Sequence, residues 1–562
     1  MVSYPDNVLD QVFEVLERRG LGDNTRLSVP HHPSRRDLSL FGLRGVGEDS
    51  AEKALDEIRS LATIGAVSDS KGDRTSIRFS DDCIEQLGER LESGDLGALS
   101  SDGICPDKRV VIDFCDPNAS KALHVGHLRN LALGHSSALI ARACGATVQT
   151  SSQIGDVGRS MAEAIAGYLK YADGEDPEGR GEKSDHLVGK CYSRYVHEDT
   201  DAGVSGEAAD GDPALSREDL GYHDHAAQIL VQLRLADPTI YDLWRKVRDW
   251  ALDGHNETFE RLGIVFDRPF LESEYRSEIE SVGDQLVDLG LARTAPNGVV
   301  FYDTGDSNYP HLVLRSSDGN STQHLRYIAL WHATRSTMVG EESLQVMGDE
   351  WLHIGQYGDL LMKHLSPDNV AHPMDQLLHG MVSVEDAIVK SSGVAPWLID
   401  ELLDELMDCP EIAELADGDA ELADRMAAIT ALGFFLSYPP SKPISLSHDA
   451  LFDPGSNVGW ALVMASGKAW DEEFDGLPDP LASDRDYRFV VAQSQVHRQL
   501  TRRAFEELNP AHLARLHMHL AGWFLNTSCT PSTARAMRSV TSAGLATLGL
   551  GSLKSRRSGV YA

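Results

Sequence analysis

The order of apolar and polar positions divides the chain into stretches of different character. In the first hundred residues it predicts a helix over Val8 to Arg19, a second over Glu52 to Ile64, and a strand over Ser76 to Phe79: a small α+β unit. Glu92 to Gly103 is rich in Gly and Ser, as linkers are, and sets a boundary near residue 104. Arg109 to Cys115 is a short β-branched run typical of a buried strand. It is followed by a loop, a helix from Gly126 to Ala143 that stops at Gly145, a strand from Thr147 to Ser152, and the turn Ile154 to Gly158 into another helix. This is a βαβ unit of the doubly wound kind, whose working end is the loop after its first strand. Ile240 to Leu262 has helical spacing, with Trp244 and Trp250 on a core face. Asp400 to Asp424 predicts amphipathic helices. Phe489 to Leu550 is helical again, with Pro510 starting a helix that carries His512, Leu513, Leu516, Leu520 and Phe524. There is no internal repeat.

Composition narrows the class. A chain of 562 residues with 41% apolar positions supports three or four domains with real cores. It holds neither a long apolar span nor the basic-then-apolar start of a secretion signal, so the expectation is a cytoplasmic protein with no membrane partner. Seven cysteines with no Cys-x-x-Cys pair disfavour a disulfide framework and a structural zinc site. The net charge of -36 argues against nucleic acid until it is resolved along the chain. From Arg485 onward, eleven basic residues stand against three acidic ones, whereas Asp400 to Asp424 holds eleven acids and no base. Such asymmetry fits either a nucleic-acid-binding part or a solvated helical face with extra arginine. The polar, acidic stretch 198–220 is expected to be an exposed insert.

The chemistry concentrates in Asp113-Phe114-Cys115-Asp116-Pro117-Asn118-Ala119-Ser120-Lys121-Ala122-Leu123-His124-Val125-Gly126-His127. Two histidines three apart flank a glycine where a buried strand turns into a helix. Glycine permits close backbone approach, the helix N-terminus favours phosphate, imidazoles can hydrogen-bond nucleotide oxygens, and Lys121 adds a movable cation. Such a site suits attack of a carboxylate on an α-phosphate, where positioning and charge stabilisation supply most of the catalysis.

These residues resemble class I aminoacyl-tRNA synthetases, and among them the arginyl-tRNA synthetase family. His124-Val125-Gly126-His127 is similar to the first class signature, and the Pro-Asn-x-x-Lys run before it to the arginyl form. Further similar stretches are Ile154 to Gly158, Asp185 to Gly189, Leu243 to Asp249, Arg261 to Asp267, Ser317 to Gly319, Gly380-Met381-Val382, and Ala543 to Gly549. The resemblance implies an α/β fold: a Rossmann-type parallel-sheet catalytic domain with an inserted subdomain (105–395). It would lie between a small N-terminal α+β domain (1–104) and an all-α C-terminal anticodon-binding-like bundle (396–562). It also implies that His124, Gly126, His127, Lys121, Gly380, Met381 and Val382 bind ATP, with Lys121, His124, His127 and Lys390 catalytic. Asn118 would hold the amino acid's polar end, and Asp113 would face its guanidinium. The implied reaction joins an amino acid, arginine by family, to tRNA with ATP and its Mg2+; separately from the resemblance, a monomer is the working expectation. No residue is assigned as a metal ligand.

Three departures qualify the likeness. On the strand carrying them, Gln323 and Tyr327 replace a tyrosine and an aspartate of the family, and losing a buried partner of a guanidinium costs roughly 3 to 5 kcal/mol. Glu350, with Asp349 beside it, offers a replacement charge. The second signature keeps a single lysine, Lys390, a shortfall that Lys121 is thought to offset. Asn526 to Cys529 stands where aromatic platforms for bases are expected, with Trp523 and Phe524 nearby read as core. Two alternatives therefore stand beside the ligase: a paralogue activating another amino acid for a biosynthetic transfer, and a non-catalytic protein that binds tRNA or an amino acid.

Overall fold

The structure is a computed structural model that describes residues 7–22, 25–43, 47–69, 73–200, 225–338, 340, 342–365, 374–384, 387–388, 397–471 and 484–553. Most of the acidic insert and Lys390 lie outside these residues.

The N-terminal unit is an antiparallel sheet of β1 (Arg26–Ser28), β2 (Leu38–Phe41), β3 (Ile64–Asp69) and β4 (Arg74–Phe79) in the order β1-β2-β4-β3. Helices Val8–Arg18, Glu48–Arg59 and Asp81–Glu92 accompany it. The second helix starts and ends earlier than the apolar pattern predicts. Ile64 pairs with Phe79 in the β3–β4 ladder, and strand pairing overrides the local helical spacing there.

The central layer is a parallel sheet of β5 (Arg109–Asp113), β6 (Thr147–Ile154), β7 (Arg268–Leu271), β11 (Glu342–Gly348) and β12 (Met374–His379), in the order β12-β11-β5-β6-β7. Counted along the chain this is the 3-2-1-4-5 order of the Rossmann fold, with β5 central and the connections diverging to either side of it. Ligands in such sheets bind at the strand C-termini beside that reversal. Between β6 and β7 lies a helical insertion (helices Arg159–Tyr171, Ser184–Thr200, His225–Arg234 and Pro238–Arg261). Between β7 and β11 a small antiparallel sheet, β8 (Ala292–Thr294), β9 (Val300–Asp303) and β10 (His311–Arg315), precedes the helix Gln323–Thr337.

The helix Val125–Ala143 joins β5 to β6 and is buried on nearly every side, because helices Ala420–Leu436, His497–Glu506 and Pro531–Thr547 also pack on it. This explains its lack of an amphipathic stripe. Its Gly134 has no room for a side chain against the Phe114 ring. Among its described residues the C-terminal part is helical apart from β15 (Ile444–Leu446), which pairs with β13 (Val382–Val384). β13 in turn pairs with β14 (Ala387–Ile388).

The described basic residues after Arg485 are used largely within the fold. Buried Arg488 donates to both oxygens of Asp37 (3.1 and 2.7 Å), to Asp81 (2.7 Å) and to the Phe79 carbonyl. Arg498 pairs with Asp10 at 2.9 Å, Arg502 with Glu17 at 3.9 Å and Arg535 with Glu92 at 2.6 Å. These four arginines fasten the C-terminal helices to the acidic N-terminal unit, so the charge asymmetry read from the sequence is in good part an internal joint. Among the described residues no helix is long and apolar enough to cross a membrane.

Candidate active site

At the end of β5 the chain turns over the sheet and returns as the central helix, whose first residues form a reciprocal cap made of imidazoles. The Gly126 N–H donates to His124 Nδ1 (3.1 Å), and the His124 N–H donates to His127 Nδ1 (3.2 Å). The rings lie 4.0 Å apart, centre to centre. Burial, with Lys121 nearby, pushes His124 down to about 4, and burial holds His127 well below the usual imidazole range. Both rings are therefore neutral at pH 7. With Nδ1 accepting in each, the single ring proton is left on Nε2. His124 Nε2 is buried and finds no protein partner. The pair thus carries its ring protons on Nε2, and that of His124 has no acceptor among the described residues.

The loop before the histidines is held from three directions. Gly155 donates to the Pro117 carbonyl (3.0 Å) and Ala119 to the Gly155 carbonyl (2.9 Å), and the Asn118 side chain occupies the space a Cβ at Gly155 would need. His255 Nε2 bonds the Lys121 carbonyl at 2.8 Å, and the Lys121 ammonium lies 5.2 Å from the Tyr192 ring centre. Val125 donates to the Trp397 carbonyl (3.2 Å) and Ile399 to the Leu123 carbonyl (3.0 Å), joining the signature to the start of helix Ile399–Met407.

Below this joint Asp400 accepts from Lys183 (2.8 Å), Thr258 (2.9 Å) and Arg261 (3.0 Å), with His186 Nε2 at 3.3 Å. Asp185, His186 and Asp400 are close enough to share a metal ion. The Lys183 ammonium, 3.2 Å from Asp185 and 2.8 Å from Asp400, already supplies a cation to both carboxylates.

Five residues after His124, Arg129 is fully buried. It donates to the carbonyls of Gly380 (2.9 Å), Pro440 (2.6 Å) and Lys442 (2.7 Å), and burial pulls its guanidinium down to about 10. The arginine hangs Gly380-Met381-Val382 from the same helix that carries the histidines. Met381 is exposed and Val382 is buried in β13.

The other predicted residues line the crevice at the strand ends. Asp113, 5% exposed, accepts from Ser151 Oγ (2.7 Å) and Gln153 Nε2 (2.9 Å), and burial raises its carboxyl to about 6. Asp116 accepts from the Gln153 N–H and from Gln345 Nε2, both at 2.9 Å; burial and the charge of Asp113 hold it well above the usual range. Gln323 and Tyr327 are not on a strand. They lie four apart on the helix Gln323–Thr337, where Gln323 Nε2 donates to the Tyr327 hydroxyl at 3.2 Å. Burial and the nearby charge of Asp116 raise that hydroxyl's pKa. The Tyr327 ring stacks on Trp331 and meets Trp351 edge-on. Arg326, between them in sequence, pairs with buried Glu272 at 2.9 Å. Glu350 is exposed, and its carboxylate lies over Gly348 at the end of β11. Of the residues bearing on the site, the sequence reading missed Asp116, Gln153, Gln345, Arg129, His255 and Asp400. An arginine one turn into the central helix, among the apolar Leu128, Leu131 and Leu133, was the clearest available signal.

The profile of the family described as tRNA synthetases class I (R), catalytic domain, matches residues 98–410. The chain is 27% identical over 392 residues to arginine–tRNA ligase of Bacteroides fragilis (strain YCH46), covering 67% of this chain and 64% of that protein. It is 28% identical over 384 residues to arginine–tRNA ligase of Treponema denticola, covering 66% and 60%. It thus spans somewhat less than two thirds of these curated relatives. Among solved structures, Thermus thermophilus arginyl-tRNA synthetase superposes with a TM-score of 0.66 at 17% identity, covering 96% of this chain and 98% of that one. Arginyl-tRNA synthetase from Plasmodium falciparum superposes with 0.62 at 14% identity, covering 96% of each. The chain belongs to the class I (R) tRNA synthetase family.

Proposed function

We propose that this member of the class I (R) tRNA synthetases is an ATP-dependent ligase that adenylates arginine and transfers it to tRNA. The observation that carries the reading is the imidazole cap: two neutral rings whose Nδ1 atoms are engaged, leaving the protons on Nε2, at the crevice where the strand order reverses. In the first step a carboxylate oxygen of the amino acid attacks the α-phosphorus, the bond to the β-phosphate oxygen breaks, and pyrophosphate leaves with Mg2+, which enters with ATP as part of the substrate. His124 and His127 donate to phosphate oxygens as charge moves onto the leaving group, and Gly126 lies between them. Lys121 follows the phosphates, joined by Lys390 from the segment after Gly380-Met381-Val382. In the second step a hydroxyl of the tRNA's terminal ribose attacks the acyl carbon, and AMP departs. Positioning and donors aimed at developing charge account for the acceleration.

Asn118 and Asp113 receive the amino acid, with Gln323 and Tyr327 on the facing helix and Glu350 at the rim. The three-part division at residues 104 and 395 gives the working arrangement, with the C-terminal helices as the tRNA-facing module of a cytoplasmic monomer. The test is pyrophosphate exchange with a panel of amino acids, with and without total tRNA. Arginine-dependent exchange that disappears in His127→Ala supports the reading. Exchange driven only by another amino acid moves the chain to the paralogue alternative, and no exchange with any amino acid overturns adenylation.

A further inference from the structure

We infer that Asp116, acting with Asp113, is a specificity-determining residue that supplies the counter-charge for a basic side chain on the activated amino acid. The assignment rests on the adenylating reading above and deepens it. Asp116 leaves the end of β5 and spans the crevice between β6 and β11, its oxygens held by the Gln153 N–H and by Gln345 Nε2. Asp113 is held by Ser151 and by the Gln153 amide. Every one of these partners is a neutral donor, and among the described residues neither carboxylate forms an ion pair with Lys, Arg or His. Other acids nearby are differently placed. Glu272 already holds Arg326 at 2.9 Å, and Glu350 is exposed at the rim.

An independent feature points the same way. Gln153, 2% exposed, gives its amide N–H to Asp113 and leaves its own Oε1 buried without a partner. Two carboxylates and an orphaned carbonyl oxygen converge, with acceptors in excess of donors. Buried groups of this kind call for a ligand that brings both positive charge and several N–H groups. A guanidinium has five donors in a planar fork and suits two carboxylates better than a single ammonium does. The neutral contact between Gln323 and Tyr327 leaves the charge-matching to this opposite wall.

The experiment compares arginine with citrulline, its neutral isostere, in the full-length wild type, Asp116→Asn and Asp116→Ser. Calorimetric binding and amino-acid-dependent pyrophosphate exchange with total tRNA are both read. Both variants are expected to raise the arginine KM and Kd by at least roughly 30-fold, the low end for truncating a buried charge partner. kcat and the KM for ATP should stay within about three-fold of wild type, and citrulline should be nearly unaffected, so the preference for arginine collapses. An unchanged preference overturns the assignment, as does equal weakening of both amino acids, which would place Asp116 on the shared α-ammonium instead. A wild type that binds no basic amino acid also overturns it. Asp116-dependent arginine binding without exchange leaves the assignment standing and removes the adenylating reading. Exchange that is indifferent to Asp116 does the reverse.

Discussion

Asp113 and Asp400 are each 5% exposed and lie on either side of the same signature loop, yet their carboxyls are displaced in opposite directions. Burial raises both. For Asp400 the hydrogen bonds from His186 and Lys183, the Lys183 charge and the Thr258 hydroxyl overcome burial and hold it well below the usual carboxylate range. Asp113 has only the neutral donors of Ser151, Gln345 and Gln153, and it stays raised, to about 6. Depth therefore does not decide what a buried acid is for. At this loop the acid whose cations come from the chain serves the structure, and the acid whose partners are all neutral fits the proposal of a cation from outside.

Removing the paired acid should break the fold before the chemistry. Asp400→Ala strands Lys183 and part of Arg261, and breaking a buried pair costs roughly 3 to 5 kcal/mol. The lower end is expected, about 3 kcal/mol in urea unfolding, because Arg261 keeps Asp404 and Asp424 and Lys183 keeps Asp185. A loss below about 0.5 kcal/mol would show that the two acids do not differ in this way. His127→Ala should do the opposite. Deleting one donor aimed at developing charge lowers turnover by roughly 10²- to 10³-fold, and the urea midpoint should move little, since only the cap bond to the His124 N–H is lost. A stability loss matching that of Asp400→Ala would place His127 among the structural groups.

Much of this architecture was legible in advance. The β-branched run at 109–115, the helix after it and the strand at 147 announce the Rossmann half because their periodicities are local. The strands β7 and β11 escape notice because only pairing with β6 and β5 across more than a hundred residues places them in the sheet, and β12 joins it only through β11. The same holds for the site. His124 and His127 are three apart and carry their geometry in their spacing, whereas Gln345 reaches Asp116 from 229 residues away. Charge is the least legible. The arginines after 485 fit a nucleic-acid-binding part or a solvated face equally, and a count along the chain cannot show that Arg488, Arg498, Arg502 and Arg535 face acids of the first hundred residues.

Acid titration sharpens the comparison at a smaller scale. An ordinary carboxyl titrates near 3.9 in the unfolded chain. The raised group, Asp113, contributes stability that is complete below about pH 4 and is lost as pH rises through about 6. The depressed group, Asp400, contributes stability that is present above about pH 4 and is lost as pH falls toward its folded value. Unfolding free energies between pH 4 and 7 should therefore carry a falling component of roughly 1 to 3 kcal/mol, which Asp113→Asn removes and saturating arginine reduces. Asp400→Asn should leave that component intact and flatten the acid limb below pH 4. A slope unaffected by Asp113→Asn would mean that another group sets it.

The smallest effect is the most diagnostic. If Asp116 waits for an external cation, then without ligand its charge is a burden on the fold, because Asp113 lies beside it and only Gln153 and Gln345 answer it. Asp116→Asn keeps the shape and accepts from the Gln153 N–H, while the Gln345 amide turns over to accept from the new NH2 group. Urea unfolding of the ligand-free variant at pH 7.5 should show a gain of about 1 kcal/mol, the scale of relieving a poorly paired buried charge. The analogous Asp400→Asn should show a loss, because there the negative charge answers two cations. Opposite signs from the same chemical change separate a residue kept for binding from one kept for the fold. A loss at Asp116 comparable to that at Asp400 would make both acids structural.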